Sequence, residues 1–177
     1  FRAYLIEDGK VAWETRVMVG KPYRKTPVFK ARMTYLVLNP DWTVPPTILR
    51  DDIVPRLVWD PEYLAAHDME LRDRAGQVVA FDAAVLAQID AGRFPYTVRQ
   101  RPGPQNPLGR IKFMLPNAHA VYLHDTPSRN LFARADRSFS SGCIRVEHPL
   151  ELAERVLRDM PGWDRDWLPT YMNEPLK

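Results

Sequence analysis

One cysteine occurs among the 177 residues, Cys143, in the stretch "SFSSGCIRVEH" from Ser138 to His148. The thiolate is the nucleophile, and an ordinary thiol with a pKa near ~8.5 is only a few per cent ionised at neutral pH. Chemistry at Cys143 therefore needs a proton acceptor, or backbone amides aimed at the sulfur. A histidine stands nineteen residues earlier, in "AVYLHD". Period-two alternation places Tyr122 and His124 on the face opposite Val121 and Leu123. With the aliphatic pair in the core, the imidazole and phenol face a groove or solvent, where His124 could serve as base, ligand or bystander. Gly142 has no Cβ and lets substrate and backbone approach closely. The N–H groups of Gly142 and Cys143 could then face a developing oxyanion. If "CIRV" is a strand, Cys143 and Arg145 share a face, and a guanidinium there can hold a carboxylate bidentately.

Each of these residues also has a plainer reading. Free cysteines are among the most buried residues, so a lone one is more often structural than catalytic. The polar neighbours in "SSGC" are nevertheless a poor setting for a core hydrophobe. Arg145 could pair with Glu147 or Asp125, and Tyr122 could simply pack. Other chemistries find less support. His67, His119, His124 and His148 are scattered, and no H-E-x-x-H or C-x-x-C occurs, so no metal site is expected. Only eight glycines are present and none forms a phosphate loop, so no nucleotide cofactor is expected; a G-x-S-x-G elbow is also absent. The net charge of +3 suits an acidic polymer as partner, but the basic residues are too dispersed to indicate nucleic acid.

The elements that must position these residues read as mainly β. "YLIE" and "VAWETRVMV" flank Asp8-Gly9, a two-residue hairpin signal. "TYLVLN" (Thr34 to Asn39) is a further strand, stopped by "NPDWTVPP". From Thr47 to about Asp90 the spacing turns helical, interrupted by Pro55 and Pro61, and Asp82 is placed to cap a short helix in "AFDAAVLAQID". Strand character returns at "YTVRQ" (Tyr96 to Gln100). "RIKFMLPNAHAVYLHD" reads as a hairpin with one buried face, turning at "PNAH". "EHPLELAERVLRDM" starts a helix with Pro149 in its first turn and Leu150, Ala153, Val156 and Leu157 on its inner side. No apolar run approaches the ~18–20 residues of a membrane span. The chain opens at Phe1 without a leader and reads as a processed or trimmed fragment. Seventeen prolines imply loops of fixed geometry.

"VYLHDTP" (Val121 to Pro127) followed by "SSGCIRV" (Ser140 to Val146) resembles the active-site pair of YkuD-type L,D-transpeptidase catalytic domains, with the histidine before the cysteine. "RKTPVF", "NPDWTVPPTI", "PGPQNPLGRIKF" and "LPNAHAVYLHDTPSRNLF" extend the likeness over about Tyr4 to Trp163, and match the peptidoglycan cross-linking subgroup with a helical capping insertion. The resemblance implies a β-sandwich catalytic domain (1–44 and 96–177) with an inserted α-helical lid (45–95) and a helix after the cysteine. It implies catalysis by Cys143, His124 and Gly142. Cys143 would attack a tetrapeptide stem at the L-centre of meso-diaminopimelate and expel D-Ala. The amine of a second stem would take the acyl group from the thioester, giving a 3→3 cross-link. A backbone carbonyl beside His124, or Asp125, would orient the imidazole. Arg145, Tyr122, Ser141 and Trp42 would contact substrate. Trp42, Trp59, Tyr63 and Phe94 also suit the insertion's own core. Carbapenems would acylate the cysteine, and the protein would be exported and work at the periplasm or cell envelope. A hydrolytic peptidase, a 1→3 link and protein anchoring use the same nucleophile.

The sequence departs from the family pattern in two places. Many members carry histidine before the glycine of the cysteine motif; Ser141 stands there, which leaves His124 as the base. The family also continues into further strands after the stretch matching "GWDRDW".

Overall fold

A computed structural model describes residues 1–90, 93–164, 166–168 and 170. The strands and helices run in the order β1 (Arg2–Glu7), β2 (Lys10–Gly20), β3 (Tyr35–Leu38), β4 (Trp42–Thr43), α1 (Pro46–Ile48), a π-helical turn (Leu49–Ile53), α2 (Val54–Trp59), α3 (Tyr63–Ala66), β5 (Met69–Arg72), β6 (Val78–Val79), α4 (Ala83–Asp90), β7 (Thr97–Gln100), β8 (Ile111–Met114), β9 (Leu123–His124), a 3₁₀ turn (Arg129–Ala133), β10 (Ser138–Ser140), β11 (Ile144–Val146) and α5 (Pro149–Leu157). They form two compact units, Phe1–Pro40 with Pro107–Lys177, and Asp41–Asn106. The protein is mainly β, as expected. No helix among the described residues is long and apolar enough to cross a membrane. The family's further strands after "GWDRDW" would fall largely outside the described residues.

The first unit is built on a seven-stranded sheet of order β1-β2-β11-β9-β8-β3, with β10 also paired to β2. Its first hairpin turns at Asp8 and Gly9, both at positive φ (49° and 74°), the conformation a two-residue turn needs to match the twist of its strands. Trp13, Ile111, Phe113 and Val146 project from one sheet face and pack against Leu152 and Ala153 of α5, with Leu123 alongside. Alternation then sends Lys112, His124 and Arg145 to the opposite face. The inner side of α5 differs from the expected one. Pro149, Leu152 and Ala153 are buried, an i, i+3, i+4 set, whereas Val156 is 38% exposed.

In the second unit, helices and a four-stranded sheet of order β4-β7-β5-β6 share one core of Val44, Leu49, Ile53, Leu57, Leu64, Leu71, Val85 and Val98. The strand expected from "YTVRQ" is β7, whose neighbours are β4 and β5 of this unit. Pro55 lies at the start of α2, where its missing N–H is tolerated, and the π-helical turn directly precedes it. Asp82 caps α4 as expected, with Oδ1 accepting from Ala84 N at 2.9 Å and Val85 N at 3.0 Å.

Phe113 is fully buried in the first unit's core, so Phe113→Ala is expected to destabilise the protein by about 3–5 kcal/mol. The exposed Val156→Ala should stay within about 0.5 kcal/mol of the parent protein. Urea unfolding midpoints of the two variants test this reading of α5 and the sheet.

Candidate active site

The cysteine loop is shaped by the C-terminal end of β2. β10 runs parallel to it (Ser138↔Val19, Ser140↔Gly20), and β11 runs antiparallel (Arg145↔Met18, Val146↔Val17). The chain must reverse between these strands within Ser141–Cys143. Gly142 makes the reversal at φ +120°, a conformation that disfavours side chains, although a Cβ there would meet nothing within 4 Å. Backbone conformation, not space, calls for glycine at this position.

Strand register sets the chemistry on the sheet face away from α5. Lys112 pairs with His124 across β8–β9, His124 with Arg145 across β9–β11, and Arg145 with Met18 across β11–β2. His124 therefore lies in one cross-sheet row between two cations. In the next row Ile144 N donates to Tyr122 O at 3.0 Å, setting Cys143 beside Tyr122. The Cys143 thiol donates to the Ala120 carbonyl at 3.9 Å, and Tyr122 lies close enough to act on its ionisation. The rings of Tyr122 and His124 lie 5.6 Å apart, and Lys112 Nζ sits 4.1 Å from the centre of the Tyr122 ring.

His124 is only 3% exposed, so the face expected to meet a groove or solvent buries its imidazole. Its Nδ1 donates to the main-chain carbonyl of Asp125, and the Pro107 carbonyl also lies within reach of the ring. The Asp125 carboxylate is engaged elsewhere, accepting from Arg110 N at 2.9 Å and Arg129 Nη1 at 2.9 Å. Burial, reinforced by Arg145 and then Lys112, pulls the imidazole pKa from 6.5 to about 3, so the ring is neutral at physiological pH. Burial pushes the Cys143 thiol up, against the opposing effects of Tyr122, Lys112 and Arg145. Burial also raises the Tyr122 phenol, which stays protonated. At rest the thiol and the imidazole are thus both neutral.

Arg145 is not taken up by either carboxylate proposed to quench it. Glu147 binds Arg16, with Arg16 Nε at 2.7 Å, and Asp125 binds Arg129. Arg145 Nε is buried without a partner among the described residues. Gly142 differs from expectation in one respect: its N–H donates to Ser140 Oγ at 3.1 Å and is not directed outward. Cys143 N–H has no acceptor among the described residues. Ser141 is exposed, and its hydroxyl accepts from Arg24 Nη1 at 3.1 Å. Trp42 belongs to the second unit and packs against that unit's own core, as do Tyr63 and Phe94, whereas Trp59 is exposed. Among the described residues, no group of three His, Cys, Asp or Glu side chains could hold a metal ion. Lys112 escaped the sequence reading, although its alternation with Ile111 and Phe113 in the "RIKF" hairpin was the available signal.

A catalytic-domain fold carrying a cysteine loop beside a strand tyrosine and histidine defines the class. The chain belongs to the YkuD family of L,D-transpeptidase catalytic domains, whose model matches residues 1–163. It is also 39% identical over 163 residues to a Haemophilus influenzae protein named "Putative L,D-transpeptidase", an alignment covering 92% of this chain. The chain spans about a third (33%) of that relative's length.

The depressed pKa of His124 has a consequence for stability. The unfolded imidazole protonates near 6.5 and the folded one only near 3, so stability is full above about pH 6.5 and falls as the pH drops from there towards 3. The slope attributable to this one group approaches about 1.4 kcal/mol per pH unit. Denaturant unfolding between pH 7 and 4 should therefore show a shallower acid loss in His124→Gln than in the parent protein. Parallel slopes would contradict the buried, neutral imidazole.

Proposed function

We propose that this protein cross-links peptidoglycan stem peptides through a cysteinyl thioester. The observation that carries the reading is the pairing of His124 in β9 with Arg145 in β11, with Tyr122 and Cys143 standing one residue before these strands, in a chain belonging to this family. In this reading Arg145 takes a carboxylate of a tetrapeptide donor, and Tyr122 lines the donor groove. The Cys143 sulfur attacks the carbonyl at the L-centre of meso-diaminopimelate. A C–S bond forms, the C–N bond to D-Ala breaks, and the thiol proton passes by way of His124 to the departing amine. The diaminopimelate amine of a second stem then attacks the thioester. A new C–N bond forms, the C–S bond breaks, and the amine's proton returns to the sulfur. No cofactor or metal is required in this sequence.

Because the thiol's hydrogen bond goes to the Ala120 carbonyl, transfer to His124 requires the thiol to turn about χ1. A carboxylate on Arg145 would offset part of the positive potential that depresses His124, so donor binding strengthens the base. The oxyanion role rests on Cys143 N–H, since Gly142 N–H is engaged by Ser140. A thioester keeps the free energy of the cleaved amide for transfer and suits the cell envelope, where no nucleotide cofactor is at hand. The 45–95 insertion, read as a lid, would exclude water and favour the amine acceptor. Carbapenems are expected to acylate Cys143 as strained acyl donors.

Incubation with purified tetrapeptide stems, followed by mass spectrometry, tests the reading. Cross-linked dimers and released D-Ala are expected, with both products and any carbapenem adduct lost in Cys143→Ala. Shortened monomers without dimers would instead establish a hydrolytic peptidase. Unchanged product in Cys143→Ala would refute the nucleophile. Arg145→Gln should reduce D-Ala release by about tenfold or more, in the range of a lost charge-assisted contact.

A further inference from the structure

The loop that follows β2 runs beneath the cysteine loop, and one of its side chains holds the peptide group on which the proposed oxyanion site depends. Thr26 Oγ1 accepts from Gly20 N at 2.9 Å and donates to the Gly142 carbonyl at 2.7 Å. The carbonyl of Gly142 and the N–H of Cys143 are opposite ends of one planar peptide unit, so fixing the oxygen fixes the direction of the N–H. The peptide units on either side are held as well, because Ser140 Oγ accepts from Gly142 N in the preceding unit and donates to the Cys143 carbonyl in the following one. Of the polar main-chain groups of Gly142 and Cys143, the Cys143 N–H alone has no partner among the described residues. A hydrogen bond to the carbonyl end also polarises a peptide unit and strengthens its N–H as a donor.

The local backbone is arranged for this contact. Gly20 ends β2, and a Cβ there would lie 2.1 Å from the Arg24 carbonyl oxygen and 2.7 Å from Thr26 N. Only glycine lets residues 24–26 fold so closely onto the strand end. Lys21 N donates to the Ser140 carbonyl at 2.9 Å, and Arg24 N to the Lys21 carbonyl at 2.9 Å, which tie the turn to the cysteine loop.

We propose that Thr26 is a positioning residue for the reaction at Cys143: its hydroxyl, held by the Gly20 N–H, fixes the Gly142–Cys143 peptide group so that the Cys143 N–H points at the oxygen of the attacked carbonyl. The oxyanion part of this inference rests on the transpeptidase reading; the clamp itself does not. Thr26 acts through the peptide unit it holds.

Two reactions of the same thiol separate this role from general support of the fold. Acylation by a carbapenem passes through an oxyanion, whereas alkylation by iodoacetamide displaces iodide from carbon and forms none. Thr26→Val, which keeps the shape and removes the hydroxyl, should slow acylation by about 10- to 100-fold, less than the ~10²–10³ seen when an oxyanion donor is deleted outright. Alkylation of the same variant should remain within about twofold of the parent, and Thr26→Ser should restore acylation to within about threefold, since positioning and not thiol reactivity is at stake. The amide correlation of Cys143 in a proton–nitrogen spectrum should move in Thr26→Val and return in Thr26→Ser. If Thr26→Val fails to fold, Thr26→Ala is read by the same three measurements. Unchanged acylation, an equal fall in both reactions, or an unmoved Cys143 amide overturns the proposal. A parent protein that neither carbapenem nor tetrapeptide acylates refutes the transpeptidase reading instead, and the amide signal then decides the clamp alone.

Discussion

The candidate site depends on the last four residues of β2, Val17 to Gly20, which serve β10 and β11 at once. One strand end receives a parallel neighbour and an antiparallel neighbour, and the chain joining those neighbours has three residues in which to turn. So short a reversal over a shared partner requires an unusual backbone conformation at its centre, and Gly142 supplies it at φ +120°. Val17 and Met18 are buried on opposite faces of this strand end, at 4% and 0% exposure. The strand that shapes the loop is therefore itself locked by packing on both sides.

From this junction the electrostatics follow by register. With Arg145 fixed opposite Met18, parallel pairing sets His124 beside Arg145, and antiparallel pairing sets Lys112 beside His124. Adjacent strands lie about 4.8 Å apart, so the imidazole has a cation on either hand. Two cations and a desolvated ring favour neutral histidine, while the same cations and the Tyr122 hydroxyl favour thiolate. Burial of the sulfur outweighs them, and the resting thiol keeps its proton. A low-dielectric pocket with a net positive field is suited to stabilise negative charge when it forms, as oxyanion, thiolate or bound carboxylate.

Much of the frame was legible because it is local. Asp8-Gly9 marks its own turn, Asp82 caps the helix immediately after it, Pro149 opens α5, and alternation in "RIKF" and "VYLH" assigns faces correctly. What was not legible depends on distance or on brevity. Thr26 and Gly142 are 116 residues apart, and no periodicity links a loop threonine to a carbonyl so remote. β4 and β6 have two residues each, too few to show alternation, so the stretch from Thr47 to about Asp90 reads as helical while contributing β5 and β6 to a sheet. The burial of His124 was missed for a related reason. Alternation tells which side of a strand a residue takes; it does not tell whether that side is covered. Pro107, Lys112 and Arg145, from separate segments, surround the ring. Val156 shows the converse, an apolar residue on the expected stripe of α5 that the packing leaves outside.

The strongest physical argument that this face is functional lies in what it retains against stability. Ala120, neither glycine nor asparagine, adopts φ +53°, a left-handed conformation costing roughly 1 kcal/mol, and its carbonyl faces the Cys143 thiol. Arg145 Nε is buried without a partner among the described residues, and His124 is buried with cations beside it. Gly142 holds a backbone conformation that side chains rarely adopt. A sheet selected for stability alone could replace Arg145 and His124 by apolar residues and gain by the exchange. The neighbouring rows of the same strands do follow that rule, with Ile111, Phe113 and Val146 fully buried on the α5 side. Unfavourable local choices gathered within one face, beside the single thiol of the chain, are what a preorganised reaction centre requires and what a purely structural sheet would not keep.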